Sequence, residues 1–222
     1  MRRFFHGYRE VLREMLFPPG CVWITPGTTI LIMGCWIVAI GSNFGKEMDW
    51  VQALVPTRFG FVEGRVGWNS RFPEIRQGEI WRLFSSFFLH FSIFHLLANS
   101  FALWAFGTQF EWKYGMARLF VFALLTQVLV GMFLCAFYGP DSGGASIVLM
   151  ALFGYLFWRA KVQRNSEFRM IWSVAALIAL NLAFDIVGVK SQMAFVAHAG
   201  GLLFGMIAAW LVTPSVAKEV HG

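Results

Sequence analysis

Ser146 follows Gly143-Gly144-Ala145 and opens an otherwise apolar stretch, and His198 sits in another, flanked by Ala197, Ala199, Gly200 and Gly201. A third apolar stretch carries His90, His95 and Asn99. Polar and ionisable side chains are costly inside a membrane and mark functional sites by default. The chemistry this set suits is acyl transfer. A serine hydroxyl is a weak nucleophile at neutral pH and needs an adjacent base, a role neutral imidazole fills. The oxyanion that forms needs fixed donors, each worth about 3 kcal/mol. Those donors are expected from the Asn99 amide, the His95 imidazole and the backbone N–H of Ser146, at a helix start whose dipole favours negative charge. Each residue also has a plainer use. Ser146 has the type and place of an ordinary helix cap, His198 could make a structural hydrogen bond, and His95 and Asn99, four apart on one helix face, could join helices. Asp141 and Asp185 fall at loop edges, so a Ser–His dyad is favoured over a triad.

The elements that hold these residues are membrane spans. The sequence is 58% hydrophobic and 14% charged, against about 25% charged in soluble domains, and its mean hydropathy is +0.62. Six apolar runs are candidates: 24–42, 81–107, 116–138, 145–159, 168–189 and 193–212. Six spans mean a helical bundle, because backbone in lipid must satisfy its own hydrogen bonds. The fourth run, about 15 residues at about 1.5 Å each, is short for a core of about 30 Å. One end must therefore stop below the membrane surface, and that end carries Ser146.

Residues 1–20 form an amphipathic segment: Phe4, Tyr8, Val11, Leu12, Met15 and Leu16 share one face opposite Arg9, Glu10, Arg13 and Glu14, and Pro18-Pro19 ends it. Such a helix suits the membrane surface, and its charges separate Arg2-Arg3 from any apolar core, unlike a cleavable signal. Residues 21–214 are the membrane domain, with a long, partly embedded first loop at 43–80 in which aromatics alternate with arginines, and 215–222 are a short tail. The net charge of +6 is read as membrane topology, not nucleic-acid binding. Basic residues cluster before span one, after span two and after span four, which places both termini in the cytoplasm; the basic first loop is the exception. Cys21, Cys35 and Cys135 lack CxxC spacing and are read as packing residues, with no disulfide framework, metal or cofactor.

Packing favours a meeting of Ser146 and His198. His198, Gly201, Gly205 and Ala208 form one stripe, in which Gly201 and Gly205 make a GxxxG that permits close helix approach. Ser146, Met150 and Gly154 form a matching stripe on the fourth run.

These residues, in this order, resemble the rhomboid family of intramembrane serine proteases in its six-span bacterial form. Glu79-Ile80-Trp81-Arg82 is similar to the family's Trp-Arg loop motif, and the run from His90 through His95 to Asn99 to its HxxxN helix. Gly107, Glu111 and Gly115 keep its G-x3-E-x3-G spacing, Gly144-Ala145-Ser146 its GxS motif, and Ala197-His198-Ala199-Gly200-Gly201 its AHxxG motif. The resemblance implies Ser146 as nucleophile, His198 as general base, and His95, Asn99 and the Ser146 amide as oxyanion hole. Gly144, Gly201, Gly205, His90, Trp81, Arg82 and Glu111 would be structural residues near the site. It also implies single-span membrane proteins as substrates, cut near the outer face, a gate around Phe184 to Met193, a cap at 139–143, and a bacterial inner-membrane location. Two positions depart from the family pattern: Ile147 where glycine usually follows the nucleophile, and Met150 where an aromatic often stacks on the histidine. A branched side chain at 147 is expected to narrow the cleft or shift the helix start. Two other functions fit a polar bundle. A non-catalytic relative that binds transmembrane helices would typically lack the serine or histidine, and a transporter using His90, His95 and His198 as a proton relay would often show an internal repeat.

Overall fold

The computed structural model describes residues 25–63, 65–140, 143–162 and 192–212, and within them the chain is predominantly helical. Helix α1, Pro26–Gly41, starts on a proline whose fixed φ suits the first helical position. It buries Thr28, Leu31, Cys35 and Ala39, while Ile30, Met33, Ile37 and Ile40 on the other side are 54–65% exposed. A helix apolar on its outer face as well as its inner one is built for lipid. The chain leaves α1 through Asn43, Phe44 and Gly45, all with positive φ.

The first loop is a folded unit. It contains helix α2, Met48–Leu54, an antiparallel hairpin of β1, Phe59–Val62, and β2, Arg65–Trp68, and the short helix α3, Pro73–Arg76. Two 3-10 turns follow, Ile80–Leu83 and Ser85–Phe88. Apolar composition predicts a second span beginning at Trp81, and this is corrected: helix α4 runs from Ile93 to Tyr114. The reason lies in the side chains of residues 81–88. The Arg82 guanidinium, 1% exposed, donates to the carbonyls of Gln52 and Val55 at 2.7 Å and pairs with Glu79. Trp81 Nε1 donates to Ala53 O, and Ser85 Oγ to Leu54 O at 2.6 Å. Four successive carbonyls at the end of α2 are thereby satisfied, which a free helix end leaves to water. Phe84, Phe87 and Phe88 pack on one another with centroids 4.9 to 5.5 Å apart. The phenylalanines of this run join the bundle core with Leu31, Leu96 and Phe106, while Trp81, Arg82 and Ser85 tie its backbone to the loop.

Helix α4 is capped by Ser92, whose hydroxyl accepts from His95 N, and ends at Gly115 with φ 86. Helix α5, Met116–Tyr138, contains one π-turn at Gln127–Gly131. Helix α6, Ser146–Phe157, starts after Ala145 and passes into a π-turn at Trp158–Val162. Helix α7 covers Gln192–Leu211. By length and composition α5 and Ala194–Leu211 of α7 are apolar enough to cross a membrane, and α1 and Ser146–Ala160 are shorter apolar helices. The expected fifth run, 168–189, lies outside the described residues, as do the N-terminal segment with Cys21 and the tail. Cys35 and Cys135 are buried and take part in no disulfide among the described residues.

The centre of the bundle is α6, whose residues from Ile147 through Leu152 are all buried. Its contact with α7 is backbone to backbone. A Cβ on Gly201 would meet the Ile147 carbonyl, one on Gly205 the Ala151 carbonyl, and one on Gly154 the Leu202 carbonyl. Only glycine permits that approach, and close packing is what holds helices together without a hydrophobic force from water.

Candidate active site

The loop before α6 and the first turns of α4 meet at one end of the bundle. Gly144 has φ 115, a conformation costly for any residue with a side chain. A Cβ there would stand 2.8 Å from His95 Cε1 and 3.4 Å from Asn99 Nδ2. Both the backbone and the available space therefore require glycine two residues before Ser146. The Gly144 N–H donates to the backbone carbonyl of Ser86 at 3.0 Å, tying this loop to the second 3-10 turn.

Asn99 and His90 are joined directly. His90 Nδ1 lies 3.1 Å from Phe88 O, and His90 Nε2 lies 2.9 Å from Asn99 Nδ2. A carbonyl can only accept, so Nδ1 carries the proton and Nε2 accepts from the amide. That pairing sets the orientation of Asn99 and uses one of its two amide N–H bonds. The other is left to be aimed at a ligand. His95 packs beside His90 with ring centroids 4.9 Å apart. Sequence places His90 with its partners on a helix, whereas it stands in the extended segment just before α4.

On the other side of Ser146 lies α7. His198 is buried at 9% exposure, one helical turn before Gly201, which seats on the Ile147 carbonyl and against Met150. Ser146 is half-buried at the first position of α6. Gly144, two residues before Ser146, thus sits against His95 and Asn99, and the turn of α7 that follows His198 packs on the first turn of α6. The helix begins at Ser146, and the Ile147 side chain is 4% exposed in a cluster with Leu134 and Ala197, packed also by Val130 and Val196. It fills the space between α5, α6 and α7.

Other residues expected near the site make their contacts with neighbouring elements. Trp81 and Arg82 hold the end of α2, as described above. Glu111 is corrected more strongly: it lies twelve residues beyond Asn99 on α4, about 18 Å along the axis. There its carboxylate accepts from Gly27 N and Thr28 N at 2.7 Å and from Thr28 Oγ1 at 2.8 Å. Gly107 lets α1 approach, since a Cβ there would meet Thr28 Oγ1 at 3.0 Å. Phe184, Asp141 and Asp185 lie outside the described residues, and of Met193 only its place in α7 is described. Among the described residues no group of three His, Cys, Asp or Glu side chains could hold a metal ion. Sequence reasoning missed Ser86 and Gln127, which are hydrogen-bonded beside the Gly144 loop. The signal available was the polar pair Thr126-Gln127 inside an apolar run.

Residues 77–215 match the Rhomboid domain family. The chain is 32% identical over 204 residues to proteins named Rhomboid protease GlpG from Salmonella paratyphi A and Salmonella typhi, a match covering 87% of the chain. It spans 66% of the length of those relatives, just under two thirds.

Proposed function

The chain belongs to the rhomboid family, and from that footing we propose that it is an intramembrane serine endopeptidase that hydrolyses peptide bonds of single-span membrane proteins with a Ser146–His198 dyad. As a member of that family it is an integral membrane protein. The observation that carries the reading is the double fit of the α6 start: Gly144 against His95 and Asn99, and Gly201 of α7 against Ile147. A nucleophile, a base and oxyanion donors require such a meeting of three elements.

In the reaction, His198 takes the Ser146 hydroxyl proton as Oγ attacks the scissile carbonyl carbon. The carbonyl oxygen becomes an oxyanion, and the second Asn99 N–H, the His95 ring N–H and the Ser146 backbone N–H stabilise it. Collapse breaks the C–N bond, and His198 gives its proton to the leaving amine. Water, deprotonated by His198, then attacks the Ser146 ester. The second collapse releases a carboxylic acid product and restores the hydroxyl. The apolar helix Ser146–Ala160 spans about 22 Å, short of a core of about 30 Å, so Ser146 sits inside the hydrocarbon layer and water reaches it from the side of residues 139–144. Six spans, an outer-face site, both termini in the cytoplasm and a bacterial inner-membrane location complete the reading, with the segment from Phe184 to Met193 as gate.

The test is fluorophosphonate labelling in mild detergent, with cleavage of a single-span reporter in liposomes. Labelling and cleavage by the wild type, with neither in Ser146→Ala or His198→Ala, is the expected result. A Ser146→Ala protein that labels and cleaves like wild type would overturn it. So would a folded wild type that does neither while retaining single-span proteins, the behaviour of a non-catalytic relative.

A further inference from the structure

Helix α5 is apolar along almost its whole length, and the pair Thr126-Gln127 interrupts it. Thr126 donates back to Phe122 O at 2.7 Å, a bond that bends helices. The π-turn Gln127–Gly131 begins immediately after, and single π-turns within α-helices are frequent at functional sites. Gln127 is 5% exposed, and its Nε2 donates to Ser86 Oγ at 2.9 Å. Gly131 leaves room for that amide, because a Cβ at 131 would stand 2.9 Å from Nε2. Ser86, 2% exposed, in turn accepts the Gly144 N–H at 3.0 Å on its backbone carbonyl. The Gln127 Oε1 atom is buried with no hydrogen-bond partner among the described residues. An unsatisfied buried acceptor is destabilising, so a leucine would serve helix packing better.

We infer that Gln127 is a positioning residue for the nucleophile loop: through the Ser86 hydroxyl it fixes the backbone carbonyl that receives the Gly144 N–H. This rests on the assignment of Ser146 as nucleophile. The chain of contacts runs from α5 to the 3-10 turn to Gly144, and Gly144 is the residue seated against His95 and Asn99. Ser85, one residue earlier, holds the same turn to the end of α2. The turn is therefore fixed on both sides, and loss of the Gln127 side would let the Gly144 loop drift from its oxyanion donors. Small misplacements of reacting groups are expensive in rate.

The test compares the second-order rate of fluorophosphonate labelling, per folded molecule, in wild type, Ser86→Ala, Gln127→Leu, the double variant and Ser146→Ala. Thermal unfolding gives the folded fraction. Each single variant is expected to slow labelling about tenfold, and the double variant no more than the slower single, as coupled neighbours behave. Ser86→Ala removes one oxygen and carries the test alone if Gln127→Leu does not fold. Labelling within about twofold of wild type in the folded single variants would overturn the inference. So would effects that multiply in the double variant, or rate losses that match the loss of folded protein. In all of these cases a silent Ser146→Ala keeps the nucleophile assignment standing. A Ser146→Ala protein that labels like wild type overturns both.

Discussion

Helices α1 and α6 both begin with backbone N–H groups that have no partner within their own helix, but only one of these ends is filled by an anion. At α1 the Glu111 carboxylate reaches from α4 and takes Gly27 N, Thr28 N and the Thr28 hydroxyl. At α6 the preceding residue is Ala145, and no side chain caps the helix. The two ends carry the same dipole with opposite consequences. A permanent carboxylate in the first spends the field on architecture. Under the proposed function the second serves charge that exists only in a transition state, and interactions made only there are the ones that accelerate a reaction.

The sharpest way to break this comparison is to exchange the costs. Ser146→Ala and His198→Ala are expected to lower cleavage by about 10³-fold or more, as loss of a dyad member does, with thermal unfolding near that of wild type. Glu111→Ala should do the reverse. Removing the carboxylate leaves buried N–H donors unsatisfied at the start of α1, at a cost of about 3 kcal/mol or more in unfolding free energy. Its labelling rate per folded molecule should stay within about twofold of wild type, because Glu111 lies about 18 Å from Asn99. A Glu111→Ala protein that is stable but slow would erase the distinction. Gly201→Val tests whether the catalytic end depends on backbone contact. The added side chain meets the Ile147 carbonyl, so α6 and α7 must part, and both activity and about 3 kcal/mol of stability should be lost. Unchanged cleavage and unfolding would argue against that contact.

Asn99→Ala sharpens the comparison on the chemical side. The amide is held by His90 Nε2 at 2.9 Å and offers one further N–H, while other oxyanion donors remain. Cleavage should fall about 10- to 100-fold in kcat without vanishing. Wild-type kcat in this variant would remove Asn99 from the oxyanion hole. His90→Ala should show a smaller part of the same effect, since it frees the amide to rotate without deleting it.

Motif order and helical spacing made much of this legible. The stripe of Gly201 and Gly205 on α7 and the limits of α1, α5 and α7 follow from small-residue spacing and apolar run length, and both are local properties. What stayed hidden was set by partners distant in sequence. Residues 81–88 look like the start of a span because five of the eight are apolar; only the carbonyls of Gln52, Ala53, Leu54 and Val55, some thirty residues earlier, explain why they turn instead. Glu111 resembled a site residue by its motif, and its true partner is 84 residues away at Gly27. The direction of Ile147 was likewise undetermined, because helix period alone does not say whether position 147 faces a cleft or the α5–α7 interface. The hairpin of β1 and β2 is only four residues on each side, too short for an alternating pattern to stand out.

The smallest expected effect lies in the first loop, at a second buried carboxylate that also serves architecture. Glu74 accepts from Thr57 Oγ1 at 2.8 Å and from Arg58 N at 3.0 Å. Burial alone would raise its pKa, but these bonds, its backbone hydrogen bond and the nearby Arg82 guanidinium outweigh burial and hold the carboxyl below the usual carboxylate range. A group whose pKa is lower folded than unfolded contributes stability that is fully present above the unfolded value and is lost as pH falls through the folded one. Unfolding free energy should therefore decline on acidification through and below the ordinary glutamate range, and Glu74→Gln should flatten that decline while losing stability near neutrality. If the acid limb of the stability curve is the same in Glu74→Gln as in wild type, the charge on Glu74 does not hold the loop, and Thr57 and Arg58 are kept in place by packing alone.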